Sequence, residues 1–332
     1  MYEHFYGFSA KPFQLSPDAR FFFDSRVHHR AMAYLRYGLN QREGFIVITG
    51  GIGTGKSMLV RNLFAELPHE ELLAAHLVST QVEADDILRL INAAFGLQHE
   101  HLTKAALLRN LEAFFRARQA EGKRVLIVVD EAQNLPPRTI EELRMLSNYQ
   151  DEQGRALVQS FLLGQVELKD TLRSPDMEQV RQRIIAAYHL EPLDLDELRE
   201  YVEHRLACVG WQGQPRIATD VYEVLHQATG GVPRRINTLA DRLMLYGAIE
   251  ELNAIEREHA QTVVDEVQAE LGGQPGEVVD ADLVRAAAGD LPGRIEQLEA
   301  QLRDMQKSQR KHARLLKKLL LLQMETDGDD NP

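Results

Sequence analysis

At 332 residues the chain exceeds one typical domain and has ample sequence to bury a sizeable core. A formal net charge of −12 argues against a domain that lives on nucleic-acid phosphates, since each neutralised phosphate needs a Lys or Arg. Hydrophobic residues at 44% exclude a wholly disordered chain, and a single cysteine, Cys208, excludes an intramolecular disulfide and reads as a small buried apolar residue.

In chain order, residues 1–25 are rich in aromatics and punctuated by Gly7, Pro12 and Pro17, an irregular segment whose phenylalanines need burial. Residues 28–40 carry helical apolar spacing, and 45–49 read as a fully buried strand that ends in a glycine loop. Helices are expected at 57–67, 84–95, 104–120 and 138–149, and strands at 73–78, 125–129, 157–163 and 185–190. Strand alternating with helix indicates an α/β fold around a parallel sheet of five strands. Beyond Glu191-Pro192-Leu193 the composition changes: 194–208, 218–229, 233–250 and 256–271 all read as helices, with no strand signal between them. The expected organisation is an α/β core at 1–192, a helical lid at 193–271, a linker at 272–290, a coiled-coil helix at 291–324 and a disordered acidic tail at 325–332. In the penultimate segment Ile295, Leu298, Leu302, Met305, Gln309, His312, Leu316, Leu319 and Gln323 keep the alternating three-and-four spacing of a coiled-coil seam. The longest apolar runs are of strand length, far short of the roughly 20 residues that cross a bilayer, so no membrane span is expected. Residues 1–6 show no basic-then-apolar pattern, so a cytoplasmic location follows.

Two motifs carry chemistry. Gly50-Gly51-Ile52-Gly53-Thr54-Gly55-Lys56-Ser57, followed by Met58, is a P-loop set between an apolar strand and a helix. Its backbone N–H groups would cradle the phosphates of ATP, helped by the positive end of the following helix; Lys56 would reach the β- and γ-phosphates and Ser57 would hold Mg²⁺. The strand at 125–129 then delivers Asp130-Glu131 to the carboxyl edge of the sheet. Two adjacent carboxylates imply two roles: Asp130 organising the water shell of Mg²⁺, and Glu131 polarising the attacking water. The twelve histidines lack the partners and spacing of a zinc site.

Phe5-Tyr6-Gly7-Phe8, Lys11-Pro12-Phe13, Leu15-Ser16-Pro17-Asp18, Tyr37-Gly38, Asp130-Glu131-Ala132-Gln133, Leu146-Ser147-Asn148, Gly164-Gln165, Arg181-Gln182-Arg183-Ile184 and Gly231-Val232-Pro233-Arg234-Arg235-Ile236-Asn237 together resemble the ExeA-like, or general secretion pathway A, AAA+ ATPases. Within that group the chain is most similar to members encoded with exosortase and exopolysaccharide genes. The resemblance covers residues 1 to about 270. It implies a P-loop NTPase core of AAA+ type with a helical lid, hydrolysis of ATP with Mg²⁺, and a homo-oligomer acting on a membrane complex of secretion or polysaccharide synthesis, from the cytoplasm or the inner-membrane surface. It also implies roles for single residues: Gln165 as sensor 1, Arg183 as the arginine finger with Arg181 as its rival, Arg234 as sensor 2, and Asn148 as a further γ-phosphate contact or a helix cap. The aromatics of residues 5–23 and the pair Tyr2 and Tyr6 either contact adenine or pack. The chain departs from secretion members that carry a transmembrane helix and a peptidoglycan-binding region after the ATPase. Alternative readings are a DNA-associated regulator of transposition type, opposed by the acidic charge, and a nucleotide-dependent scaffold, opposed by Glu131 beside Asp130.

Overall fold

The computed structural model describes residues 2–16, 18–66, 72–78 and 83–270. The chain divides into two units, Met1–Val267 and Gln268–Pro332. The linker, coiled coil and acidic tail expected from the sequence lie outside the described residues.

Five strands form one parallel sheet: β1 (Phe45–Gly50), β2 (Leu72–Val78), β3 (Arg124–Asp130), β4 (Val158–Gly164) and β5 (Ile184–Leu190), ordered β2-β3-β4-β1-β5. Burial follows position in the sheet. The inner strands β1 and β4 are buried at every residue, which is why they read as unbroken apolar runs, whereas the edge strands β2 and β5 mix buried and exposed positions. Helices α1 (Tyr2–Tyr6), α2 (Arg26–Gln41), α3 (Lys56–Ala65), α4 (Ala84–Ala94), α5 (Lys104–Ala120), α6 (Pro137–Leu146), α7 (Glu167–Arg173) and α8 (Glu178–Arg181) accompany the sheet in sequence. One core cluster joins β1, β3 and β4 to α4, α5 and α6 through residues such as Ile91, Phe115 and Leu143. A second joins the other sheet face to α2 and α3 through Leu35, Leu59 and Phe161.

The helical unit comprises α9 (Leu195–Ala207), α10 (Thr219–Thr229), α11 (Pro233–Ile249) and α12 (Arg257–Glu270). A capping box starts α9: the Asp194 carboxylate accepts from the Glu197 N–H, and the Glu197 carboxylate accepts from the Asp194 N–H. The expectation of no strand here needs correcting. The two-residue strands β6 (Arg216–Ile217) and β7 (Ala254–Ile255) pair in parallel, too short to leave a periodic signal. Cys208 also departs from expectation, because it is exposed. Leu198, Tyr201, Val202, Arg205 and Leu206 are buried along α9 at helical spacing, and Cys208 caps its carboxyl end, past the last helical turn.

The N-terminal aromatics pack on the helical unit. Tyr2, Phe8, Phe13 and Phe21 share a cluster with Leu198, Val221, Leu239 and Leu243, and the Ser9 N–H donates to the Val209 carbonyl at 3.0 Å.

Candidate nucleotide site

The strand order decides which side chains can meet. Because β4 lies between β3 and β1, its carboxyl end stands between the acidic pair that leaves β3 and the glycine loop that leaves β1. Parallel pairing of Thr49 with Gly164 and of Val129 with Leu162 keeps those ends level. Such a crevice outside the carboxyl ends of the strands is where open α/β sheets bind ligands.

The P-loop curls so that Thr54 Oγ1 donates to the Gly51 carbonyl at 2.9 Å, and Lys56 Nζ donates to the carbonyls of Gly50 and Gly51, each at 2.9 Å. Gly55 opens α3 at φ 101°, a left-handed conformation costly for any other residue. A Cβ there would also lie 2.8 Å from His28 Nε2. Lys56 is buried, and desolvation pushes its pKa down against the opposing pull of Glu131 and Asp130.

Ser57 Oγ donates to Asp130 Oδ2 at 2.5 Å, joining the glycine loop to the acidic strand end. Asp130 Oδ1 accepts from the Glu131 N–H at 3.0 Å, and Glu131 itself turns off the strand at φ 54°. That turn sends the two adjacent carboxylates in different directions. Gln133 Nε2 donates to Glu131 Oε2 at 2.6 Å, and Gln165 Nε2 reaches the same oxygen at 3.3 Å from the end of β4. The Gln165 N–H in turn donates to Gln133 Oε1 at 2.9 Å, so Gln133 fastens the two strand ends together. The hydrogen bond from Gln133 is the main cause holding the Glu131 carboxyl below the usual range; Gln165 and the Lys56 charge add to it, against desolvation.

Above the loop, the Arg234 N–H donates to the Gly53 carbonyl at 3.2 Å, placing the first turn of α11 on the P-loop. A cavity of about 380 Å³ lies there, lined by Ile52, Gly53, Gly55, Lys56, Ser57, Met58, Glu131 and Arg234, together with Phe21, Phe22, Phe23 and His28. This is within the range of small-molecule clefts, roughly 300–1,000 Å³.

Three groups that sequence reasoning passed over also line it. Arg205 is buried in α9 and donates to the carbonyls of Pro12 at 2.7 Å and Gln14 at 3.2 Å and to the Tyr201 hydroxyl at 2.7 Å. Tyr201 donates to Asn237 Oδ1 at 2.7 Å. This network fastens the N-terminal strap to the helical unit beside the cavity. A charged residue on the apolar stripe of α9 was the available signal. His28 was set aside as one of many histidines, yet its Nδ1 meets Ser25 Oγ at 2.8 Å and its ring hydrogen-bonds the backbone of Thr54.

Other expected residues lie elsewhere. Tyr2 donates to the Asp241 carboxylate and Tyr6 to the Leu252 carbonyl at 3.3 Å, so neither lines the cavity and their adenine role is withdrawn. Asn148 stands exposed just past α6, which ends where β4 begins, at the opposite edge of the sheet from the P-loop. Arg183 precedes β5 on that same edge, with Nη1 3.4 Å from the Ser147 carbonyl. Arg181 Nη1 is held by the carbonyls of Leu172 at 2.9 Å and Ser174 at 2.7 Å.

Residues 39–172 match the family described as AAA domain. The chain is 38% identical over 246 residues to the general secretion pathway protein A of Aeromonas hydrophila, covering 74% of this chain and 44% of that protein. It therefore spans less than half the length of that curated relative. Among solved structures, the ORC2 protein of Aeropyrum pernix in its ADPNP–ADP complexes superposes with TM-score 0.59 at 17% identity, over 78% of this chain and 72% of that one. Cdc6p from Pyrobaculum aerophilum superposes with TM-score 0.58 at 14% identity, over 85% and 89%. At such identities these two speak to the fold alone. The chain has a P-loop NTPase fold of AAA+ type. It belongs with the ExeA-like, general secretion pathway A group of AAA+ proteins.

Proposed function

We propose that the chain binds ATP with Mg²⁺ in the crevice above β1, β4 and β3 and hydrolyses it to drive changes between the α/β core and the helical unit. The observation that carries this is the 2.5 Å contact of Ser57 with Asp130, with Glu131 fastened beside it. A hydroxyl and a carboxylate oxygen side by side are hard donors suited to Mg²⁺, which keeps most of its waters. Ser57 would hold the ion directly and Asp130 through water, and the ion would neutralise charge on the phosphate oxygens. Lys56, released from the carbonyls it now caps, would meet the β- and γ-phosphates, and N–H groups of the loop would cradle them. Glu131, kept ionised by Gln133 and Gln165, polarises the attacking water. Gln165 orients that water from the neighbouring strand, and Arg234 reports the γ-phosphate to the helical unit. Phe21, Phe22 and Phe23 offer apolar surface to the base.

The proposed assembly is a homo-oligomer in which Arg183 enters the neighbouring site. The likeness to a general secretion pathway protein supports work on a membrane complex of secretion or exopolysaccharide assembly, from the cytoplasm or the inner-membrane surface. Among the described residues no helix is long and apolar enough to cross a membrane. The net charge of −12 opposes nucleic acid as the partner.

Nucleotide titration and turnover of two variants test the reading. Lys56→Ala should lose ATP affinity, whereas Glu131→Gln should bind normally and turn over about 10²–10⁴-fold more slowly. Wild-type affinity in Lys56→Ala would reject the site.

A further inference from the structure

Asn237 follows Arg234 by three positions in α11, so it shares that face of the helix about 4.5 Å further along the axis. It is 7% exposed and lines the cavity above the P-loop. Two neighbours in series orient its amide. Arg205 Nη1 donates to the Tyr201 hydroxyl at 2.7 Å, and that hydroxyl donates to Asn237 Oδ1 at 2.7 Å. A guanidinium carries donors only, so the tyrosine proton has the amide oxygen as its acceptor. Were the amide reversed, the hydroxyl would accept twice and its own proton would be left without a partner inside a buried side chain. The relay therefore decides which end of the amide faces Tyr201.

Arg205 is itself held. Its Nε and Nη2 donate to the carbonyls of Pro12 and Gln14, and its guanidinium lies 4.9 Å from the centre of the Phe21 ring. The strap, α9 and α11 thus converge on one amide, and Nδ2 is the group left over. Among the described residues nothing accepts from it. Buried donors are rarely left unanswered. Nor is this one sealed off: the described side-chain atoms that are both fully buried and unpartnered belong to Asn92, Arg118 and Gln159. Two N–H donors at a cavity wall ask for an acceptor that the protein does not supply.

Under the nucleotide reading, the glycine loop, Lys56 and Arg234 take the phosphates. Phe21, Phe22, Phe23 and Tyr201 line the same cavity, and aromatic rings suit a planar base. A purine offers ring nitrogens that accept hydrogen bonds. We propose that Asn237 is a specificity-determining residue whose Nδ2 donates to a ring nitrogen of a purine base, with Arg205 and Tyr201 as the positioning residues that hold the amide. This rests on the nucleotide reading and adds to it the group that reads the base.

The experiment is calorimetric titration of the full chain, with Mg²⁺, against ATP, inorganic tripolyphosphate, 2′-deoxy-ATP and the 1-, 3- and 7-deaza analogues of ATP, each of which replaces one ring nitrogen by C–H. Asn237→Ala should weaken ATP about three- to tenfold, the range of one neutral hydrogen bond, and leave tripolyphosphate within about twofold. One deaza analogue should bind the wild type more weakly by that same factor, and should bind Asn237→Ala as tightly as ATP does. Should the variant not fold, the wild-type ranking of the analogues still decides. ATP affinity indifferent to Asn237, tripolyphosphate weakened as much as ATP, or discrimination against 2′-deoxy-ATP in place of every deaza analogue would each overturn the assignment and leave the nucleotide site standing. A wild-type chain that binds neither ATP nor tripolyphosphate would remove that site, and this inference with it.

Discussion

Arg234 rests on Gly53: its N–H donates to the Gly53 carbonyl at 3.2 Å, and a Cβ on Gly53 would come within 2.5 Å of the Arg234 Cβ. The helical unit and the phosphate loop therefore approach so closely that a Cβ at position 53 has no room. Gly53 also stands at φ 81°.

Gly53→Ala is expected to combine about 1–2 kcal/mol of backbone strain with displacement of α11. ATP affinity should fall about tenfold or more, since 1.4 kcal/mol is a factor of ten. Titration with a fluorescent nucleotide measures it, and an unchanged dissociation constant would mean that this contact does not constrain the loop.

Gln133 is expected to matter as much as the better-known strand-end position. Removing it in Gln133→Leu takes away the 2.6 Å hydrogen bond that depresses the Glu131 pKa, so the carboxyl titrates at higher pH. The acid limb of the hydrolysis profile should move to higher pH, lowering turnover along that limb. Combined with Gln165→Leu, the losses should not add, because both residues act on one oxygen. Strictly additive effects would separate the two roles.

His28 predicts a pH dependence of stability. Burial depresses its pKa, against the Thr54 backbone and the charges of Asp24 and Glu197. Folding thus favours the neutral ring, and the unfolded chain binds more protons once the pH falls below about 6.5. The contribution is full above that value and is lost as pH falls toward the folded pKa. His28→Gln should flatten the slope of unfolding free energy below about pH 6.5. An identical slope in the variant would assign the effect to other groups.

The two arginines before β5 should separate cleanly. Arg181→Ala removes donors to two backbone carbonyls and should cost about 1–3 kcal/mol in denaturant unfolding. Arg183→Ala loses only a 3.4 Å contact and should leave stability within about 0.5 kcal/mol. If it acts in the neighbouring site, turnover falls about 10³–10⁵-fold. Mixing Arg183→Ala with Lys56→Ala chains should then restore activity, which pairing of an intact site with an intact finger requires. No recovery from verified hybrids removes Arg183 from catalysis.

The amino-acid sequence by itself determined the α/β order, the buried inner strands and the loop at residues 50–57, because these depend on local periodicity and on glycines at fixed spacing. Asp130 and Glu131 were legible for the same reason: a continuous apolar run ends on them. What only the tertiary structure decided is which strand ends are neighbours. The order β3-β4-β1 brings Gln133 and Gln165 to one carboxylate, although 32 residues separate them. Long-range packing likewise carried the N-terminal aromatics onto the helical unit and left Tyr2 and Tyr6 outside the cavity, while Arg205 entered its wall. It also placed Asn148 at the far edge of the sheet, since a helix returning between parallel strands must end where the next strand begins. Local pattern sets what each segment becomes; burial of each apolar face against a distant partner sets what it meets.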